Sequence, residues 1–188
     1  MADVVVFHHA LGLTTGIEAF ANALAAGGHD VATPDLFNGA TFETIEAGIA
    51  HAESIGFEQI AEIGSRATTG EPNIVVGFSL GVLPAQKLAQ QRSGVTAAVL
   101  CHSAIPLGVF GKTWPSDVAL QMHAGERDPF VEEDKDAIGQ LVAAASVSEL
   151  HWYNTAAHLF ADVTSPDFDA ALAGQLVTRT LEFFDRLG

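Results

Sequence analysis

The 188-residue chain holds one cysteine, one tyrosine and only eight lysines and arginines. Each shortage excludes something. A lone Cys101 cannot close a disulfide within the chain, which fits a reducing compartment, so a cytoplasmic location is expected. Set in the apolar run "VTAAVLC", it reads as a small buried hydrophobe at a strand end rather than a reactive thiol. With 23 carboxylates the formal net charge is -15. Such a chain has no basic stripe for nucleic acid, and an anionic membrane surface repels it. The acidity serves solubility. No apolar run approaches the roughly 20 residues that span a bilayer. The opening "MADVVVFHHALGL" lacks the basic start of a signal peptide and is interrupted by two histidines.

What is present points to an α/β enzyme. Hydrophobic residues make up 48 % of the chain, enough for one substantial core, so a single domain over 1–188 is expected. Six short apolar runs alternate with helical stretches. The runs are "VVVF", "DVATPDLF", "NIVVGF", "VTAAVLC", "VALQMHA" and "SELHWY". No hairpin signature separates them, which predicts a mostly parallel, doubly wound sheet of about six strands with helices on both faces. Between the second and third runs, Gly48 and Gly56 divide a helical stretch into two short helices. Pro84 must lie in the first turns of its helix. In such sheets ligands bind beyond the carboxyl ends of the strands, so chemistry is sought there.

The third run ends in Gly77-Phe78-Ser79-Leu80-Gly81, a G-x-S-x-G pentapeptide between a strand and a helix. Glycines on both sides let neighbouring backbone approach, so that the serine Oγ projects from a tight turn. The following helix N-terminus offers free N–H groups, and the N–H of Leu80 is a candidate oxyanion donor. Taken alone, the same residues also suit a Gly-rich turn with a serine cap. A serine needs a base. Asp128 follows the fifth run, and His158 lies in a loop after the sixth. The chain order Ser79, Asp128, His158 is that of an α/β-hydrolase triad. Separately, Asp128 would be an ordinary helix cap and His158 a solvated loop residue. The remaining histidines show no H-E-x-x-H or H-x-x-x-H spacing, and neither metal nor cofactor is expected. The turn after the first strand commonly carries the second oxyanion N–H, assigned to Ala10, with the His9 side chain overlooking the site. Phe110 and Trp114, in the loop after the fourth strand, are candidate walls of the substrate pocket or pins that hold the loop to the core.

These residues resemble the dienelactone hydrolase family of α/β-hydrolases over nearly the whole chain. "FHHALGL" and "ATPDLF" look like that family's oxyanion turn and second strand end. "VVGFSLGV" looks like its nucleophile elbow, "HAGERDPFV" like its acid turn, and "ELHWYNTAAHLFAD" like its histidine loop. The resemblance implies an α/β-hydrolase fold, the triad Ser79, Asp128 and His158, and an oxyanion hole from Leu80 and Ala10. It also marks departures. The family's nucleophile is typically cysteine, and here it is Ser79. Its glutamate in the first turn is His9, and its carboxylate-binding arginine is Asp162, whose charge is expected to repel an anionic substrate. Its N-terminal hairpin is missing. The expected function is a serine hydrolase of a small ester or lactone, a monomer or small homo-oligomer with no nucleic-acid or membrane partner. The alternatives are a non-catalytic small-molecule-binding protein on this fold and an acyltransferase using the same triad.

Overall fold

The computed structural model describes residues 1–187. Six strands form one sheet in the order β2-β1-β3-β4-β5-β6. They are β1 (Asp3–Phe7), β2 (Asp30–Ala32), β3 (Ile74–Phe78), β4 (Ala97–Cys101), β5 (Ala119–Gly125) and β6 (Ser148–Tyr153). Every neighbouring pair is parallel. Helices α1 (Thr15–Ala26), α2 (Ile45–Ile55), α3 (Phe57–Ala67), α4 (Val82–Gln91), α5 (Pro129–Ala144) and α6 (Ala170–Leu187) link or follow the strands.

Alternation along the strands builds two cores. Val5, Phe7 and Val75 point to one face, where they meet Ile60 of α3, Leu88 of α4 and Leu141 of α5. Val4, Val6 and Val76 point to the other, against Leu24 of α1 and Phe183 of α6. All are buried, and each large side chain removed from water contributes about 1.5–3 kcal/mol. Both faces being covered explains why the strands read as continuous apolar runs rather than alternating ones.

Two local expectations needed adjustment. The second strand spans only three residues, because Thr33-Pro34 follow and proline has no N–H to give the ladder. Gly56 does separate two helices, at φ 97°, but Gly48 lies inside α2. Its reason is a close approach. A Cβ at Gly48 would sit 1.9 Å from the Ala10 carbonyl oxygen, so the glycine lets α2 rest on the turn after β1.

β1 is followed in space by β2 on one side and β3 on the other, so the winding reverses between β1 and β3. A crevice opens beyond the carboxyl ends of strands at such a reversal. The turn after β1 and the elbow after β3 both face it.

Candidate active site

The elbow is built by backbone crowding. A Cβ on Gly77 would lie 2.4 Å from the Gly81 carbonyl oxygen, and one on Gly81 would lie 2.4 Å from that of Phe7. Only glycine permits this turn. Ser79 itself is held at φ 50°, in the left-handed region that costs a non-glycine residue about 1–3 kcal/mol. It opens a single 3-10 turn, Ser79–Gly81, that runs into α4. The strain puts the hydroxyl at the strand tip, with the start of a helix behind it.

Ser79 Oγ lies 2.8 Å from His158 Nε2. His158 Nδ1 lies 2.6 Å from Asp128 Oδ2. The carboxylate can only accept, so Nδ1 carries a proton, and in the neutral ring Nε2 then presents its lone pair to the serine hydroxyl. Asp128 and His158 are almost wholly buried, at 1 % and 4 % exposure, which keeps water from competing for these bonds. Asp128 Oδ1 meanwhile accepts from the Phe130 N–H at 3.0 Å, capping α5. The cap and the histidine partner are one residue, using separate oxygens.

The histidine loop is pinned from beneath. Phe160 is fully buried, 4.8 Å from the Tyr153 ring and 4.7 Å edge-on from the His102 ring. Phe130 tilts against His158 with ring centroids 4.5 Å apart. The imidazole is therefore clamped by aromatic faces as well as by its hydrogen bonds.

A hydroxyl, an imidazole and a buried carboxylate in series, beyond the carboxyl ends of parallel strands, are the parts of a nucleophilic hydrolase. The family model of the dienelactone hydrolase family matches residues 1–188. The chain belongs to the dienelactone hydrolase family. It is an ester-bond hydrolase by that membership. A carboxymethylenebutenolidase from Rhodococcus opacus is 29 % identical over 204 residues, covering 97 % of this chain and 80 % of that protein. A dienelactone hydrolase-like promiscuous phosphotriesterase from metagenomic libraries superposes with a TM-score of 0.80 at 21 % identity, covering 100 % of this chain and 87 % of the other. A metagenome-derived lipolytic enzyme, from a structure describing LipS and LipT, gives 0.65 at 14 % identity, covering 99 % and 95 %.

Against that family background, the residues expected at the pocket need three corrections. His9 does not overlook the cavity. It is 1 % exposed, with Nε2 2.6 Å from Asp162 Oδ2 and Nδ1 accepting from the Leu11 N–H at 3.2 Å. Asp162, in turn, does not face substrate. It is 3 % exposed and accepts from His9, from the Thr14 hydroxyl at 2.5 Å, and from the Thr164 N–H and hydroxyl. Burial pushes its carboxyl up, but the bonds from His9, Thr14 and Thr164 outweigh that and hold it well below the usual carboxylate range. The two positions that stood out as departures in the sequence thus pair with each other, His9 donating to Asp162.

Phe110 and Trp114 are the third correction, since neither lines the cavity. Trp114 is buried in the core, its indole N–H donating to the Val118 carbonyl at 2.8 Å. A buried indole needs such a partner, and the loop supplies one by turning back on itself. Gln90 and Gln91 of α4 hold the loop down through the carbonyls of Gly111, Thr113 and Phe110.

The cavity beside Ser79 has a volume of about 290 Å³. Ala10 and Leu80 line it next to the hydroxyl. Its apolar wall comes from Ile49, Phe57, Leu83, Ile105 and Phe130. Its acidic side comes from Glu133 and Asp134 on α5, and no lysine or arginine is among its lining residues. Asp134 also accepts from the Ser103 hydroxyl at 2.6 Å. Sequence reasoning missed this wall. The available signal was spacing: Phe130, Glu133 and Asp134 stand at i, i+3 and i+4 in the first turns of the helix that Asp128 caps, so they share one face of it.

Two buried groups near the site carry no acid–base role. Burial pushes the Cys101 thiol far up and holds His102 neutral, well below the usual histidine range. His102 has φ 68°, and neither of its ring nitrogens has a hydrogen-bond partner among the described residues. It acts as an aromatic floor 5.8 Å beneath the His158 ring.

Proposed function

We propose that this protein is a serine hydrolase of the dienelactone hydrolase type, cleaving a small neutral or cationic ester or lactone through an acyl-enzyme on Ser79. The observation that carries the reading is the Ser79–His158–Asp128 series, at 2.8 and 2.6 Å. Ser79 Oγ attacks the carbonyl carbon while its proton passes to His158 Nε2. Asp128 holds the ring and stabilises the imidazolium. The N–H groups of Leu80 and Ala10 receive the negative oxygen, each donor contributing about 3–4 kcal/mol to the transition state. His158 then protonates the departing alkoxide, the C–O bond breaks, and the acyl group remains on Ser79. Water enters and attacks the acyl carbon while one of its protons passes to His158; the bond from that carbon to Ser79 Oγ breaks, His158 returns the proton to Oγ, and the acid leaves. In a lactone the alkoxide and the acid belong to one molecule.

The substrate class follows from the cavity wall. Apolar side chains suit a small hydrocarbon or aromatic acyl group. Glu133 and Asp134, without a cation to balance them, disfavour a carboxylate-bearing substrate. The exclusion of anions therefore rests on α5, not on Asp162. The test is a panel of aryl esters of matched size ending in trimethylammonium, methyl or carboxylate. The carboxylate ester should show the lowest kcat/KM, by about tenfold or more, equivalent to about 1.4 kcal/mol. Glu133→Gln should narrow the gap. A carboxylate ester that reacts fastest would overturn this substrate assignment.

A further inference from the structure

We propose that His8 is a positioning residue that fixes the His9–Ala10 peptide so that the Ala10 N–H is aimed at the oxyanion before substrate arrives. In a trans peptide unit the C=O and N–H point in opposite directions. The C=O of this unit, on His9, is held by two donors. His8 Nδ1 lies 2.8 Å from it, and the Gly12 N–H donates to it at 3.1 Å. With the carbonyl tied on that side, the Ala10 N–H leaves on the other, and Ala10 lines the cavity with Ser79.

The His8 ring cannot drift from this task. It is fully buried, and its Nε2 accepts from the Leu36 N–H at 2.9 Å. A carbonyl only accepts and an N–H only donates, so the two contacts define one neutral tautomer with the proton on Nδ1. The Phe37 ring meets the imidazole edge-on at 5.0 Å. The next peptide unit is held as well, since the Leu11 N–H donates to His9 Nδ1 and Asp162 holds the other side of that ring. Helix α2 covers the Ala10 carbonyl through Gly48.

A buried residue that only filled space would be served by leucine or phenylalanine. Here the chain buries an imidazole whose basicity falls to about 4 by that burial, and spends both nitrogens on backbone. Rotating the His9–Ala10 peptide would turn a carbonyl toward the place where negative charge develops. Preorganisation of that one N–H is what the arrangement secures.

The proposal rests on the serine hydrolase reading, and its test separates the two. His8→Leu removes both ring nitrogens at similar size. His8→Asn keeps an amide N–H near the position of Nδ1. His8→Gln reaches instead toward the Leu36 side. Crystal structures of the Leu and Asn variants should show the His9–Ala10 peptide rotated in the first and native in the second. With an activated aryl ester, kcat should fall about 10²-fold in His8→Leu with KM little changed, and recover in His8→Asn. If His8→Leu fails to fold, His8→Gln replaces it with the same expected loss. A native peptide orientation in the Leu or Gln variant overturns the proposal, and so does a loss of kcat that Asn does not rescue. The crystallographic arm decides the role of His8 even if the wild-type protein cleaves no ester, an outcome that would instead remove the hydrolase reading.

Discussion

Asp128 shows how one side chain serves packing and chemistry together. Its Oδ1 caps α5 and its Oδ2 holds His158. Asparagine in its place keeps the cap through its carbonyl oxygen but loses the charge that stabilises the imidazolium. Asp128→Asn should therefore melt within a few degrees of wild type while kcat falls by about three to four orders of magnitude. A matching collapse in stability would show that its main work is structural. At this scale Ser79, Asp128 and His158 were legible, because each lies just beyond a strand run and the three stand in a recognisable order. His9 and Asp162 were not. They are 153 residues apart, and nothing local says that a histidine at a strand end is consumed by an aspartate in another loop. Their types suggested a site; their burial makes them a brace.

The elbow between β3 and α4 is the element on which the geometry turns. Gly81 lies against the carbonyl oxygens of Phe7 and His8, so an added methyl meets rigid backbone rather than a mobile side chain. Gly81→Ala should cost about 1–3 kcal/mol or more in chemical denaturation. Gly139, inside α5 with nothing near its missing Cβ, is the control, and Gly139→Ala should gain about 0.5–1 kcal/mol. Equal effects at the two positions would contradict the crowding argument. The G-x-S-x-G spacing made this element readable. The loop over 106–118 was not readable, because Phe110 and Trp114 are equally at home as a pocket wall or as anchors. Only the partner of the indole N–H, the Val118 carbonyl, decides between them.

For the whole molecule, the alternation of apolar runs and helical stretches defined the sheet, since a strand covered on both faces announces itself by continuous hydrophobicity. The order β2-β1-β3-β4-β5-β6 puts the turn after β1 beside the elbow after β3, and this brings the distant segments to one crevice. No helix among the described residues is long and apolar enough to cross a membrane. The buried histidines give the fold a pH signature. Burial holds His102 and His123 well below the usual range, and His8 at about 4. In the unfolded chain these groups bind protons near 6.5. Between about 6.5 and 4 the unfolded state therefore binds more protons than the folded one, and stability rises with pH. Each histidine contributes a slope of up to about 1.4 kcal/mol per pH unit. Asp162 adds to acid lability lower down, because its depressed carboxyl stabilises the fold above about 4 and loses that contribution as the pH falls further. Urea midpoints measured from pH 7 to 5 should drop steeply; a flat profile would mean that these rings are not buried neutral.

The central claim is that the Ser79 hydroxyl, and no other group, takes the acyl chain. Acid-quenching the protein within the first turnover of an activated aryl ester, followed by intact-mass and peptide analysis, tests it directly. One acyl group per chain should appear on the peptide containing Ser79, in step with a burst of released phenol, and Ser79→Ala should show neither. Undiminished turnover by Ser79→Ala, or an acyl group on a different residue, would contradict the account.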